Sequence, residues 1–183
     1  GGRQPVRIAS GPCGLARDLR HSAAALTQMG HPAAAFEWWG LDLDASGTVL
    51  AEAQRRAAAA GLELRPLRVD LLAPGAVTTA LGSPVDIFNC IGLTAWLDLP
   101  EVAALLRSLA AALAPGGFLV IDNFHRHAQS RFGDDFEMNT RYHDDRSLEA
   151  LCKAVGFDIE SVQETPNRVN VVYTLRLNQP SGG

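Results

Sequence analysis

No run in this 183-residue chain approaches the roughly 20 consecutive apolar residues that a membrane-spanning helix needs. The N-terminus also lacks the charged-then-apolar build of a secretion signal, so a cytoplasmic protein is expected. Cysteine is confined to Cys13, Cys90 and Cys152, an odd number at spacings unsuited to a metal. They read as reduced thiols. Basic residues are also short: 16 Lys and Arg stand against 20 Asp and Glu, for a net charge of −4, and they are scattered. A surface that tracks phosphates is therefore not expected, and small or neutral partners are favoured over nucleic acid and membrane.

What the chain does have is repetition of one pattern. Val6 to Ser10 is a short apolar run, and "GLARDLRHSAAALTQMG" then repeats apolar residues at helical spacing until Gly30. "AAAFEWWGLDLD" reads as a second strand, followed by Ser46 as a helix cap and the alanine-rich helix "TVLAEAQRRAAAAG". A third strand, "LELRPLRVDLL", a short helix or turn, "PGAVTTALG", and a fourth strand, "PVDIFNCIG", come next. The amphipathic helix "LPEVAALLRSLAAALAPGG" stops at Pro115-Gly116-Gly117, ahead of the strand "FLVIDNF". Five strand-then-helix units imply parallel pairing. After a polar segment, His125 to Asp144, the helix "DRSLEALCKAVGF" leads to "FDIESVQE", the turn "TPNR" and "VNVVYTLRL", an antiparallel hairpin. The expected fold is α/β, a doubly wound, mostly parallel sheet with helices on both faces. Residues 3–178 form its single domain, and residues 1–2 and 179–183 read as flexible tails or cloning scars.

Such sheets bind ligands outside the C-terminal ends of their strands. There the sequence places Ser10-Gly11, Asp42 and Asp44, Asp70, and the run Cys90 to Thr94. A glycine turn leaves backbone N–H groups at a helix N-terminus for a polar ligand. An acid after strand two can accept from both ribose hydroxyls, and an acid after strand three from an exocyclic amino group. Asp42 and Asp44 could equally be acids capping a helix, and Asp70 a solvated loop acid.

In ordered motifs from about Val6 to Leu177, the chain resembles the class I S-adenosylmethionine-dependent methyltransferases. "IASGPCG" looks like their first motif, "GLDLDASGTVLAEA" their second, "LRVDLL" their third and "PVDIFNCIGLTAWL" their fourth, with "LRSLAAALAPGGFLVID" the most specific piece. The "SGPC" form, with Arg17-Asp18 soon after, is closer to a branch whose first motif reads Ser-Gly-Pro and then Arg-Asp. The resemblance implies a Rossmann-like seven-stranded sheet of order 3-2-1-4-5-7-6, strand 7 antiparallel, and S-adenosyl-L-methionine as cofactor. It implies that the backbone around Ser10, Gly11 and Gly14 passes the methionine part and that Asp42, with Leu43 beside it, holds the ribose. Asp70 and Leu71 would meet adenine, and Ile91, Gly92 and Thr94 would lie near the methyl group.

Two positions depart from the pattern. Arg7 stands where the family carries an acid that orders the cofactor's amino group, which would put a positive charge near a cationic ligand. Cys13 stands where glycine is usual, with a structural thiol as the simpler reading. The acid after strand two also lies further from the glycine turn than the roughly 20 residues expected, and few residues precede strand one to roof a substrate. A partner domain or second copy could complete such a roof.

Methyl transfer is chiefly a matter of positioning, sometimes with a general base. Candidates cluster after strand five: Asp122, Asn123, His125, His127, Tyr142 and His143, with His125 nearest the strand end and Tyr142 and His143 beside it as catalytic candidates. The His125–His127 spacing lacks a third ligand, so no metal is expected. Trp38, Trp39 and Trp96 read as core, with a place facing the pocket as the alternative for Trp96, which follows the fourth motif. The expected reaction is transfer to an O or N nucleophile of a small molecule. A silent methyltransferase-like binding module is the alternative. A nicotinamide-dependent oxidoreductase is weaker, because "SGPCG" is not a full G-x-G-x-x-G and Arg146 replaces the lysine of a Tyr-Lys pair.

Overall fold

The computed structural model describes residues 4–126, 139–166 and 168–178. Its seven strands are β1 (Val6–Ser10), β2 (Phe36–Asp42), β3 (Leu64–Arg68), β4 (Val85–Cys90), β5 (Leu113–Phe124), β6 (Phe157–Glu164) and β7 (Asn170–Leu177). They form one sheet of order β3-β2-β1-β4-β5-β7-β6. The first five pair in parallel, whereas β7 runs antiparallel to both β5 and β6. The expected strand order and the antiparallel seventh strand are both present.

Among the described residues five α-helices accompany the sheet: α1 (Arg17–Gln28), α2 (Thr48–Ala59), α3 (Ala76–Leu81), α4 (Leu99–Ala112) and α5 (Asp145–Val155). Period-two alternation sorts the strand side chains onto two faces. Ile8, Trp38 and Leu64 pack with Leu19, Ala53 and Ala57 from α1 and α2. Ala9, Leu41, Phe88 and Leu119 pack with Leu105, Leu109 and Leu148 from α4 and α5. Strand order reverses between β1 and β4, which opens a crevice at their C-terminal ends.

Local chemistry sets the element ends, with three departures from expectation. Helix α4 starts in a capping box: Asp98 accepts from the Glu101 N–H, and the Glu101 carboxylate accepts from the Asp98 N–H. For α2 the cap is Gly47 rather than Ser46, whose hydroxyl instead accepts from the Thr48 N–H. Strand β5 begins five residues earlier than the Pro-Gly-Gly stop suggested, at Leu113. A β-carbon on Gly117 would stand 2.8 Å from the Ala114 carbonyl, so only glycine lets the chain pass there. Ala33–Ala35, read as the start of strand two, is a single 3-10 turn.

Candidate functional site

The turn after β1 is cradled by the two strands beside it. The Gly11 N–H donates to the Asn89 carbonyl at 2.9 Å, the Cys13 N–H to the Leu41 carbonyl at 2.8 Å, and the Gly14 N–H to Asp42 Oδ2 at 2.9 Å. Within the turn these three amides are occupied, whereas the N-terminus of α1 that follows has no side-chain cap. A β-carbon on Gly11 would meet Leu71 at 3.1 Å and Leu41 at 3.2 Å, so the glycine is required by packing. Gly14, with φ +46°, has open space where a side chain would be. Ala16 follows at φ 53°, a left-handed conformation that costs a non-glycine residue of order 1–2 kcal/mol.

Each acid at the rim has a distinct place. Asp42, half-buried at the end of β2, bridges the Gly14 and Asp44 N–H groups, the second at 3.3 Å. Two bonds leave lone pairs on its oxygens for further donors. Asp44 accepts from the Leu50 N–H and the Ser46 hydroxyl, and the Leu50 hydrogen bond leads in lowering its pKa. It is an acid of the α2 start. Asp70 is exposed and accepts from the Leu72 N–H on one oxygen only.

The apolar candidates divide. Leu43 is 62% exposed at the crevice rim, whereas Leu71 is buried and packed against Gly11, so its side chain faces the core rather than a ligand. Ile91 and Gly92 are half-buried, and Gly92 (φ +83°) faces open space. Ser10 is buried, and its hydroxyl oxygen accepts from the Asn89 side-chain amide at 3.4 Å. Thr94 is fully buried and donates to the Asp122 carbonyl at 2.6 Å, so its side chain braces the loop instead of lining the site. The Asp122 carboxylate, also buried, accepts from the Gly92 N–H at 2.8 Å, and burial raises its pKa.

Both departures in the first motif resolve structurally. Arg7 turns away to the segment between α3 and β4, where its guanidinium donates to the carbonyls of Leu81, the last residue of α3, and of Ser83 and Pro84 just beyond it. It also pairs with Glu37 at 3.4 Å and stacks on Trp39. The expected cationic intrusion on the ligand is therefore wrong, because the Leu81 carbonyl that ends α3 and the Ser83 and Pro84 carbonyls after it draw the side chain away. Cys13 Sγ points at Gly40, 3.1 Å from where a β-carbon there would stand. Burial, with Asp42 adding to it, pushes that thiol up to about 12, so it is inert.

At the other end of the crevice, His125 Nε2 lies 2.9 Å from Asp145 Oδ2. Tyr173 OH and Asn123 Nδ2 both donate to Asp145 Oδ1, at 2.8 and 2.9 Å. His143 Nε2 lies 3.0 Å from the Thr94 carbonyl, and the Arg126 guanidinium stacks 5.0 Å over the Tyr142 ring. Trp38 is core, whereas Trp96 is 51% exposed. His127 lies outside the described residues. Sequence reasoning missed Asp145 and Tyr173, because nothing local marks an Asp brought to a histidine from 20 positions away or a Tyr brought to that Asp from 28.

Among the described residues no group of three or more His, Cys, Asp or Glu could hold a metal ion. Among them no helix is long and apolar enough to cross a membrane. The rim does fit an adenosyl group: Gly14 and Gly92 present bare backbone to open space, Leu43 offers an uncovered apolar face, and Asp42 keeps lone pairs for hydroxyl donors.

No protein-family model matches the chain, and no curated protein matches it in sequence. Solved structures do. A possible exported protein from Bordetella parapertussis matches at TM-score 0.76 and 20% identity over 96% of this chain and 63% of its own. Magnesium protoporphyrin IX methyltransferase from Synechocystis, solved with bound S-adenosylhomocysteine, matches at 0.67 and 18% over 97% and 77%. An O-methyltransferase family protein from Burkholderia thailandensis matches at 0.71 and 15% over 98% and 52%. The chain thus spans about half to three quarters of the length of these proteins. Its fold is that of the class I S-adenosylmethionine-dependent methyltransferases.

Proposed function

We infer that this protein binds S-adenosyl-L-methionine and transfers its methyl group to an O or N nucleophile of a small molecule. The observation that carries the reading is Asp42: its carboxylate stands at the switch-point crevice, tied to the glycine turn through the Gly14 N–H at 2.9 Å, with acceptor capacity left for a ribose. Leu43 and the free side of Asp70 would hold adenine. The backbone at Ser10, Gly11 and Gly14 would flank the methionine part, and Ile91 and Gly92 the methyl end. The cofactor supplies an electrophilic methyl on a sulfonium; the chain's task is to aim a nucleophile at it. His125 is the proton acceptor in this reading, with Tyr142 and His143 on the wall beside it.

One observation favours a binding module without transfer activity: β1 carries no acid toward the crevice, since position 7 is an arginine turned away. Titration calorimetry separates the readings. Micromolar binding of S-adenosylmethionine and S-adenosylhomocysteine, weakened by Asp42→Ala, is expected. The absence of heat with both would overturn the cofactor assignment. The three buried free thiols support a reducing, cytoplasmic setting, and a second copy or partner domain would complete a substrate roof.

A further inference from the structure

His125 and Asp145 form a dyad more elaborate than exposed loop residues need. Asp145 Oδ1 takes the Tyr173 hydroxyl from β7 and the Asn123 amide from β5, while His125 Nε2 lies 3.0 Å from Oδ1 and 2.9 Å from Oδ2. Tyr173 and Asn123 are buried, so they hold the carboxylate in place independently of the histidine. A carboxylate can only accept, so the neutral imidazole carries its proton on Nε2 and its lone pair on Nδ1. Among the described residues no hydrogen bond reaches Nδ1. The ring is therefore set up as a proton acceptor.

Aromatic surface lies on the same rim. The Arg141 N–H donates to the Ala95 carbonyl at 2.6 Å, and His143 Nε2 meets the Thr94 carbonyl, which clamps residues 141–143 against residues 94–96. The clamp ties the segment that carries Tyr142 to the segment that carries the half-exposed Trp96. Asn123 Nδ2, which holds Asp145, also donates to the His143 carbonyl at 2.9 Å and joins the clamp to the dyad.

We propose that the methyl acceptor is an aromatic hydroxyl, deprotonated by His125 Nδ1, with Asp145 as the residue that positions the ring. The inference rests on the methyltransferase reading above. A neutral amine already presents a lone pair and needs no base to attack. A phenol, near pKa ~10, can give its proton to a histidine base, whereas an aliphatic alcohol is far less acidic. The balance is simple. The hydroxyl proton moves to Nδ1, the oxygen–methyl bond forms as the sulfur–methyl bond breaks, and the bonding pair stays on sulfur as the sulfonium becomes a neutral thioether. The imidazolium, paired with Asp145, then releases its proton to water.

The test uses the full chain saturated with S-adenosylhomocysteine and two probes, 4-nitrophenol and 4-nitrocatechol, whose ionised forms are coloured. At a pH one unit below each probe's solution pKa, binding should raise the ionised fraction several-fold. His125→Gln should abolish that rise while S-adenosylhomocysteine affinity stays within about twofold. Asp145→Asn should reduce the rise, and nitrogen NMR of the histidine should show the Nε2–H form of His125 replaced by a mixture of tautomers. Binding of both probes without ionisation, equal ionisation in His125→Gln, or failure of both probes to bind while S-adenosylhomocysteine binds would overturn the phenol assignment and leave the methyltransferase reading standing. Failure of S-adenosylhomocysteine itself to bind would overturn both.

Discussion

Asp42 Oδ2 accepts the Gly14 N–H at 2.9 Å, so the acid assigned to the ribose also holds the glycine turn in shape. Replacing it with alanine should therefore act twice. Calorimetry should show S-adenosylhomocysteine affinity falling at least tenfold, and urea unfolding of the unliganded protein should show a loss of about 1 kcal/mol for the hydrogen bond to the turn. Unchanged affinity in Asp42→Ala would remove Asp42 from the ribose site.

Arg7 makes the opposite prediction. Its guanidinium serves the Leu81 carbonyl that ends α3 and the Ser83 and Pro84 carbonyls after it, and pairs with Glu37, far from the crevice. Arg7→Ala should cost about 1–2 kcal/mol of stability, with cofactor affinity unchanged within twofold. A large affinity change in a protein of near wild-type stability would contradict this placement.

Cys13 and Gly40 should be energetically coupled. Gly40→Ala places a β-carbon 3.1 Å from Cys13 Sγ and 3.3 Å from Leu64 Cδ2, an overpacking expected to cost about 1–3 kcal/mol. Cys13→Gly in the same chain should recover part of that loss but not all, because Leu64 remains. A double-mutant cycle with no coupling would refute the contact. The Cys13 thiol, pushed up to about 12 by burial, should also resist thiol reagents at neutral pH in the folded protein.

Asp145 carries a pH signature. Burial works to raise its carboxyl, but the hydrogen bonds from His125, Asn123 and Tyr173 outweigh burial and hold its pKa below the ordinary value. A depressed carboxyl contributes stability that is present above the unfolded pKa of ~3.9 and is lost as pH falls through the lower folded value. Urea midpoints measured from pH 5 downward should fall more steeply for the wild type than for Asp145→Asn. Parallel curves would show that the carboxylate is not held as described.

Much of the fold was legible because its signals are local. Apolar runs broken by Gly30, Gly61 and the Pro115-Gly116-Gly117 turn mark the strand-helix alternation, and the alternation implies parallel pairing with ligands at the strand ends. At β5 a neighbouring strand decided the outcome. The β5 segment before Phe118 extends because Val85 of β4 pairs with Leu113, a contact invisible within "LAPGG" itself.

The sequence by itself determined the α/β class, the order of the strand-end motifs, and the positions of Asp42, Asp70 and His125 along the chain, since periodicity and glycine or proline stops act over a few residues. Only the tertiary structure decided where side chains point and what meets them. Arg7 leaves the crevice for α3, Thr94 is spent on the Asp122 carbonyl, and Leu71 fills the space beside Gly11. Asp145 reaches His125, and Tyr173 reaches Asp145, across long separations, because the antiparallel pairing of β7 with β5 and the start of α5 beside them create a proximity that no spacing along the chain encodes.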